Sequence, residues 1–148
     1  MDWKQYTSVA ALVFSLVSFG LTYALSTQSA TISVRPVLVF EYTQQAGWSV
    51  RNVGNGPALN VLVAGKDEGA DWRNPVRIPP LQRDGQFLLS WVGHQNIRTL
   101  GASYTDIADR QYSSTSTDDL SRIYEGNHLK VWSEGQITAH WKLAPAQR

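Results

Sequence analysis

The sequence predicts a mainly β protein, with one N-terminal transmembrane helix followed by an antiparallel β-sandwich or barrel of about seven to nine strands. An apolar stretch lies near the N-terminus, and no charged residue occurs between Lys4 and Arg35. After residue 30, short runs that alternate apolar and polar residues are rich in β-branched and aromatic side chains, which is typical of strands. Turn signals separate these runs and no amphipathic helical pattern interrupts them, which favours an all-β architecture.

The predicted helix spans Tyr6–Leu25, after a flank at 1–5, and a polar connector at 26–30 leads to a domain at 31–148. Its 20 residues would rise about 30 Å, the thickness of the hydrocarbon core of a bilayer. A cleaved signal peptide is the alternative, but the apolar run Val9–Leu25 is longer than the usual core of about 7–15 residues. Aromatic residues near the two ends of the helix are expected to anchor it at the membrane interfaces: Trp3, Tyr6 and Tyr23.

Small and hydroxyl side chains form a stripe along one side of this helix, at spacings of three and four residues. Such residues let two helices approach closely in a membrane, so the stripe predicts a helix-packing interface. The alternative is that the Ser and Thr hydroxyls bond to carbonyls of their own helix. The stripe consists of Ser8, Ala11, Ser15, Ser18 and Thr22.

The basic residues on the two sides of the helix predict its orientation. Lys4 is close to the N-terminal end, and Arg35 is the first basic residue on the other side. The positive-inside bias therefore favours a cytoplasmic N-terminus. We expect a single-pass protein of the bacterial inner (cytoplasmic) membrane with a periplasmic C-terminal domain.

The domain opens with Thr31–Tyr42, whose alternation predicts a strand, with an edge or a bulge at Pro36 because proline cannot donate to a ladder. The polar region 116–127 has no clear assignment, although Asp118 could cap a helical turn. Further strands are predicted at Gly47–Val53, Ala58–Ala64, Gln86–Val92, Leu100–Thr105, Arg110–Thr115, Leu129–Ser133 and Gln136–Leu143.

The densest turn signal is the tetrapeptide Gly54, Asn55, Gly56 and Pro57. Two glycines around an asparagine mark a tight reversal, and we expect a positive φ at one of the two.

The segment NVGNGPALNV and the later IPPLQRDGQF resemble bacterial immunoglobulin-like sandwich domains of the cell-adhesion-related kind, over roughly Val34–Trp91. SYTDIADRQY adds a similar hairpin. The chain is also similar to single-pass bacterial proteins in which one anchor precedes such a domain. The resemblance implies an immunoglobulin-like fold and a scaffold or interaction role.

Composition and motifs argue against several function classes. The net charge is +1, from 13 basic and 12 acidic residues without a basic patch, so we expect no nucleic-acid partner. The chain has no cysteine, which excludes disulfides and thiolate metal sites. The histidines lack local metal-binding partners, and the acidic residues fit turn and cap roles better than a calcium loop. We expect no metal, no cofactor and no catalytic residue. The residues considered were His94, His128, His140, Asp106, Asp109, Asp118 and Asp119.

One tryptophan is placed differently from the others in the sequence. Trp72 lies in the polar loop Lys66–Pro75 beside Arg73, whereas Trp91 and Trp132 lie in strand patterns that predict core positions. An aromatic residue in such a loop often anchors an interface, so Trp72 and Arg73 are a candidate docking site and Trp72 is expected to be substantially exposed. The alternative is that the loop folds back and covers its own tryptophan.

These features predict a non-enzymatic accessory subunit of a membrane complex. Its helix would contact membrane lipids and other transmembrane subunits, and its domain would dock on an extramembrane protein partner. Energy-transducing assemblies, respiratory or photosynthetic, are candidate hosts by analogy, because they commonly contain single-pass subunits. The alternative is a free-standing, membrane-anchored binding module of the bacterial cell envelope.

Overall fold

The computed structural model describes residues 3–93, 99–117 and 120–144, and it describes only the backbone at 3–10 and 27–33. The chain divides into two units, Met1–Ser33 and Val34–Arg148. The first unit contains the helix α1 (Trp3–Ser33). The described part of the second contains nine strands and two short 3-10 helices.

The prediction of a transmembrane helix is wrong. In the part of the chain that the structure describes, no helix is long and apolar enough to cross a membrane. The hydroxyl side chains of Ser15, Ser18 and Thr22 interrupt the apolar run of α1 among its described side chains. The predicted single-pass location in the bacterial inner membrane is corrected by the same finding.

The second unit is built from two sheets. The smaller sheet has the order β1-β2-β5, and the larger has the order β8-β7-β6-β3-β4-β9. Neighbouring strands are antiparallel except for β4 and β9, which are parallel. The predicted mainly β class is confirmed, and two sheets are consistent with a β-sandwich. The strands are β1 (Leu38–Thr43), β2 (Gly47–Asn52), β3 (Leu59–Lys66), β4 (Arg73–Arg77), β5 (Gln86–Leu88), β6 (Thr99–Thr105), β7 (Gln111–Thr117), β8 (Leu120–Glu125) and β9 (Thr138–Ala139).

Several predicted strands agree with the structure and others do not. The predictions at 47–53, 58–64, 100–105 and 110–115 correspond to β2, β3, β6 and β7 within a few residues. The first strand begins at Leu38 because α1 continues to Ser33. β8 lies in the region without a clear assignment, and its side chains are mostly exposed, so no alternation marks it. Leu129–Ser133 is not a strand, and the last prediction contains only β9 and the 3-10 helix His140–Lys142.

The core lies between the two sheets and is formed by their inward-facing side chains. Tyr104 on β6 is 2 % exposed, and its hydroxyl accepts a hydrogen bond from the backbone N–H of Leu38 on β1 at 3.3 Å. The same hydroxyl is 2.8 Å from Ser114 Oγ on β7. This phenol therefore links the two sheets as well as filling the core. Other buried residues of the cluster are Leu38, Val50, Ala58, Val61, Val63, Val76, Ile78, Leu81, Leu89 and Leu100.

Asn52 uses both ends of its buried amide to hold three segments together. Its Oδ1 accepts hydrogen bonds from the backbone N–H groups of Val37 (3.2 Å) and Gly54 (3.0 Å). Its Nδ2 donates to the backbone carbonyls of Gly56 (2.8 Å) and Leu81 (3.0 Å). An amide side chain has two donors and two acceptor sites, so Asn52 is fully satisfied. We call this arrangement the Asn52 hub.

The expectation of a positive φ at Gly54 or Gly56 is wrong. Neither glycine lies in the left-handed region. Both are needed for another reason, because the segment preceding β1 passes directly against them. A Cβ on Gly54 would overlap the backbone of Arg35 and Val37, and a Cβ on Gly56 would overlap the carbonyl group of Val34. Close approach of two backbones, rather than turn geometry, fixes these residues.

Asp106 organises the turn between β6 and β7, as its predicted turn role implies. Its carboxylate is 1 % exposed, and Oδ1 accepts hydrogen bonds from the N–H groups of Ala108 (2.8 Å) and Arg110 (3.0 Å). Oδ2 accepts from Arg110 Nε (2.7 Å) and from the Tyr112 hydroxyl (3.2 Å). Burial by itself raises the pKa of Asp106. The hydrogen bonds from Arg110 and Ala108 and the charge of Arg110 outweigh it, so the pKa lies below the ordinary aspartate value.

We expect Asp106→Asn to lower the free energy of unfolding at pH 7 by about 2 kcal/mol, because hydrogen bonds to a charged group are lost. The lowered pKa stabilises the fold above the ordinary aspartate pKa of about 4, and this stabilisation disappears as the pH falls through the folded-state pKa. The difference between variant and parent should therefore narrow on acidification. Urea unfolding between pH 7 and pH 2.5 measures this difference in the free energy of unfolding. Asp109→Asn is the control, because Asp109 is exposed and has a φ of 58°. A difference that stays constant with pH would contradict the charge contribution.

Candidate functional site

Three of the six tryptophans line one open groove at the β4 side of the larger sheet. The groove has a volume of about 690 Å³, and its walls come from β4, the segment after β5 and the C-terminal segment. We call it the tryptophan groove and define it by Trp72, Trp91 and Trp132 with the polar residues Asn74, Lys130 and Gln136. All three tryptophans are half-buried. All three residues are thus partly covered by the domain and still line the groove.

Trp72 is positioned by a glycine of the neighbouring strand and by a lysine. A Cβ on Gly101 of β6 would lie 2.6 Å from Cη2 of Trp72, so the ring rests on the backbone of this strand. The ammonium group of Lys66 lies 4.9 Å from the ring centroid, in a cation–π arrangement. Trp72 is therefore half-buried, between the substantial exposure that we expected and complete coverage by its own loop. Its docking role stays a prediction.

Arg73 and Asn74 begin β4 with an irregular backbone. Arg73 forms an ion pair with Asp67 and lines the groove beside Trp72. Asn74 has a φ of 53°, in the left-handed region that asparagine tolerates, and Pro75 has no backbone N–H. β9 pairs only with the second half of β4, at Val76 and Arg77. The first half of β4 thus presents side chains to the groove rather than a regular ladder edge.

Trp132 and Gln136 are positioned by the short 3-10 helix Glu134–Gln136. The carboxylate of Glu134 accepts a hydrogen bond from Arg77 of β4 at 2.8 Å, which lowers the pKa of Glu134 and ties this turn to the sheet. Gln136 Oε1 accepts a hydrogen bond from the N–H of Ser133 at 3.1 Å, so its amide is oriented. This short helix, which follows Trp132 and ends at Gln136, is therefore held against β4.

The charge in the tryptophan groove is positive. Among the described residues that line it, none is acidic and none is histidine. Arg73 is neutralised by Asp67, whereas Lys130 is exposed and has no carboxylate partner among the described residues. Asn74, Gln136 and Thr138 add amide and hydroxyl groups. The groove thus offers aromatic surface, neutral hydrogen-bonding groups and one unpaired cation.

Sequence reasoning identified one tryptophan of this groove and assigned the other two to the core. Trp91 packs near the core, with its ring 6.3 Å from that of Phe87, but it also lines the groove. Trp132 lies outside any strand, so the predicted strand position is wrong. One signal was present in the sequence: Gly101 interrupts a strand pattern, and such a glycine often marks the close approach of another group.

The residues predicted on the helix belong to the first unit, whereas the tryptophan groove belongs to the second. The described members of the stripe, Ala11, Ser15, Ser18 and Thr22, are exposed within their unit. Thr22 Oγ1 donates to the carbonyl of Ser18 at 2.9 Å, which is the alternative given for the stripe. Tyr23 is 65 % exposed, and its anchoring role depended on the membrane span that is now corrected. The side chains of Trp3, Tyr6 and Ser8 lie outside the described residues.

The histidines and acidic residues show no metal arrangement in the described ranges, where no group of three or more His, Asp or Glu could hold an ion. The ring of His128 stacks on Tyr124, with centroids 4.4 Å apart. His140 contacts Phe87 edge to face, at 5.0 Å. His94, Asp118 and Asp119 lie outside the described residues.

Comparisons of the chain with protein-family models, with curated proteins and with solved structures give no significant match.

Proposed function

We propose that the β domain is a non-enzymatic binding module and that its ligand occupies the tryptophan groove. One observation carries the proposal: Trp72, Trp91 and Trp132 come from three separate segments and converge on one open space. Its volume of about 690 Å³ falls in the range of about 300–1,000 Å³ that is typical of ligand sites. The two sheets and the resemblance of Val34–Trp91 support an immunoglobulin-like sandwich as the scaffold.

The chemistry of the groove favours binding over catalysis. Large aromatic rings surrounded by polar groups are the usual composition of binding surfaces. The described lining residues include no carboxylate and no imidazole, the groups that most often transfer protons in enzymes. Asn74, Gln136 and Thr138 instead provide neutral donors and acceptors, which suit recognition.

The alternative function that the sequence predicts is a membrane-anchored binding module. The present proposal keeps the binding module and does not include the membrane anchor. The other predicted function, a subunit that docks on a protein partner, would use the same place, because Trp72 and Arg73 both line the groove. The two differ in the class of ligand, which an experiment can distinguish.

We expect Trp132→Ala to weaken ligand binding about tenfold or more, since a central aromatic anchor commonly contributes most of the affinity of such a surface. The full-length protein is screened on an immobilised panel of polysaccharides and on a random peptide panel. Trp141→Ala is the matched control, because Trp141 is 72 % exposed and does not line the groove. Circular dichroism verifies that both variants are folded. No retention on either panel, or equal retention by both variants, would overturn the proposal.

A further inference from the structure

We infer that the ligand of the tryptophan groove is a polysaccharide whose sugars carry carboxylate groups. The inference rests on the proposed function and adds the class of ligand. Three properties of the groove support this inference. They are the irregular edge of β4, the presence of tryptophan and amide side chains in one lining, and the unpaired charge of Lys130.

The edge of β4 disfavours an extended peptide as the ligand. A peptide that adds a strand to a sheet needs a regular edge with alternating N–H and C=O groups. Asn74 has a left-handed backbone and Pro75 has no N–H to donate. Val76 and Arg77 are already paired with β9. Binding in this groove must therefore use side chains.

The side chains of the groove fit the chemistry of a sugar ring. A pyranose has a face of C–H groups that packs on an aromatic ring, and a rim of hydroxyl groups that donate and accept hydrogen bonds. Trp72, Trp91 and Trp132 line the groove, and an indole ring has an electron-rich face that attracts weakly positive C–H groups. The amide of Asn74 has donors and an acceptor for hydroxyl groups, and the amide of Gln136, whose Oε1 already accepts from Ser133, has its N–H donors. Both side chains are exposed.

The charge of the groove selects among sugars. Lys130 is the cation of the described lining that lacks a carboxylate partner, whereas Arg73 is paired with Asp67. None of the described lining residues is acidic, so nothing in that set repels an anionic chain. A carboxylate on a sugar that packs on the tryptophans could therefore bind to the Lys130 ammonium by a charge-assisted hydrogen bond.

The test is a titration of the full-length protein with polygalacturonate and with alginate, in which tryptophan fluorescence and calorimetry measure binding. We expect both polysaccharides to bind, and neutral dextran to bind about tenfold more weakly. Trp132→Ala should weaken polygalacturonate binding about tenfold or more. Trp141→Ala should leave it unchanged. Lys130→Ala replaces an exposed residue and is expected to keep the fold while removing the preference over dextran.

Three results would overturn the inference. If poly-L-glutamate binds as tightly as polygalacturonate, charge alone accounts for binding and no sugar ring is recognised. If peptides of the random panel bind through Trp132 and neither uronate chain binds, the ligand is a protein, and the proposed binding function stands without this ligand class. If nothing binds on either panel, both proposals fail.

Discussion

Gly56→Ala is expected to lower the free energy of unfolding by about 3 kcal/mol or more, a large part of the 5–15 kcal/mol that stabilises a typical domain. A Cβ at this position would overlap the carbonyl group of Val34. These are backbone atoms and cannot rotate away as a flexible side chain could. The N–H groups of Asn55 and Gly56 both bond to the carbonyl of Arg35, at 3.1 and 3.4 Å. Moving the two segments apart would stretch these bonds and the bonds of Asn52.

Urea unfolding at neutral pH, followed by tryptophan fluorescence, measures this effect. Gly135→Ala is the matched control, because a Cβ there would meet no atom within 4 Å apart from its own chain neighbours, and its φ is not left-handed. A surface change of this kind is expected to stay within about 0.5 kcal/mol. An unfolding midpoint of Gly56→Ala equal to that of the parent would show that the two backbones do not meet at this position.

Asn52→Leu is expected to cost about 3 kcal/mol or more, although the side chain keeps nearly the same size. The change removes all four hydrogen bonds of the Asn52 hub at once. The N–H groups of Val37 and Gly54 and the carbonyls of Gly56 and Leu81 then lose their side-chain partner inside the domain. A buried polar group left without a partner costs about 1–3 kcal/mol, and relaxation recovers part of the total.

Asn55→Leu provides the comparison for the hub, since Asn55 belongs to the same turn and its side chain is exposed. Its unfolding energy should differ little from that of the parent. Amide hydrogen exchange adds a local measurement, because the Gly54 N–H should exchange faster in the Asn52 variant than in the parent. Equal stability of the two leucine variants would show that the buried amide contributes nothing.

The class of fold could be predicted from the sequence because alternation records which face of a strand is buried. β2, β3, β6 and β7 have such faces, and the sequence places them within a few residues. β8 is mostly exposed, so its position depends on pairing with β7, which no local pattern records. In the helix a local pattern was present but misleading. A run without charges indicated a membrane span that the described residues do not support.

The candidate site was predicted only in part, for a physical reason. Trp72 is conspicuous because its own loop is polar. Trp91 and Trp132 are half-buried, and a period-two pattern cannot distinguish the wall of a groove from the face of a core.

In the turn at 54–57 the sequence predicted that the glycines are needed, but for the wrong reason. The segment at Val34–Val37 that meets them is distant in sequence, so its approach is a property of the tertiary fold.

The contacts between the segment before β1 and residues 53–56 determine where a shortened form of this protein should start. The first strand residue is Leu38, but the carbonyls of Arg35 and Val37 accept bonds from the turn, and Val34 packs against Gly56. A fragment cut at Leu38 would keep every strand and lose these bonds. A fragment cut at Val34 would retain them, so the four residues before the first strand belong to the domain and not to a linker.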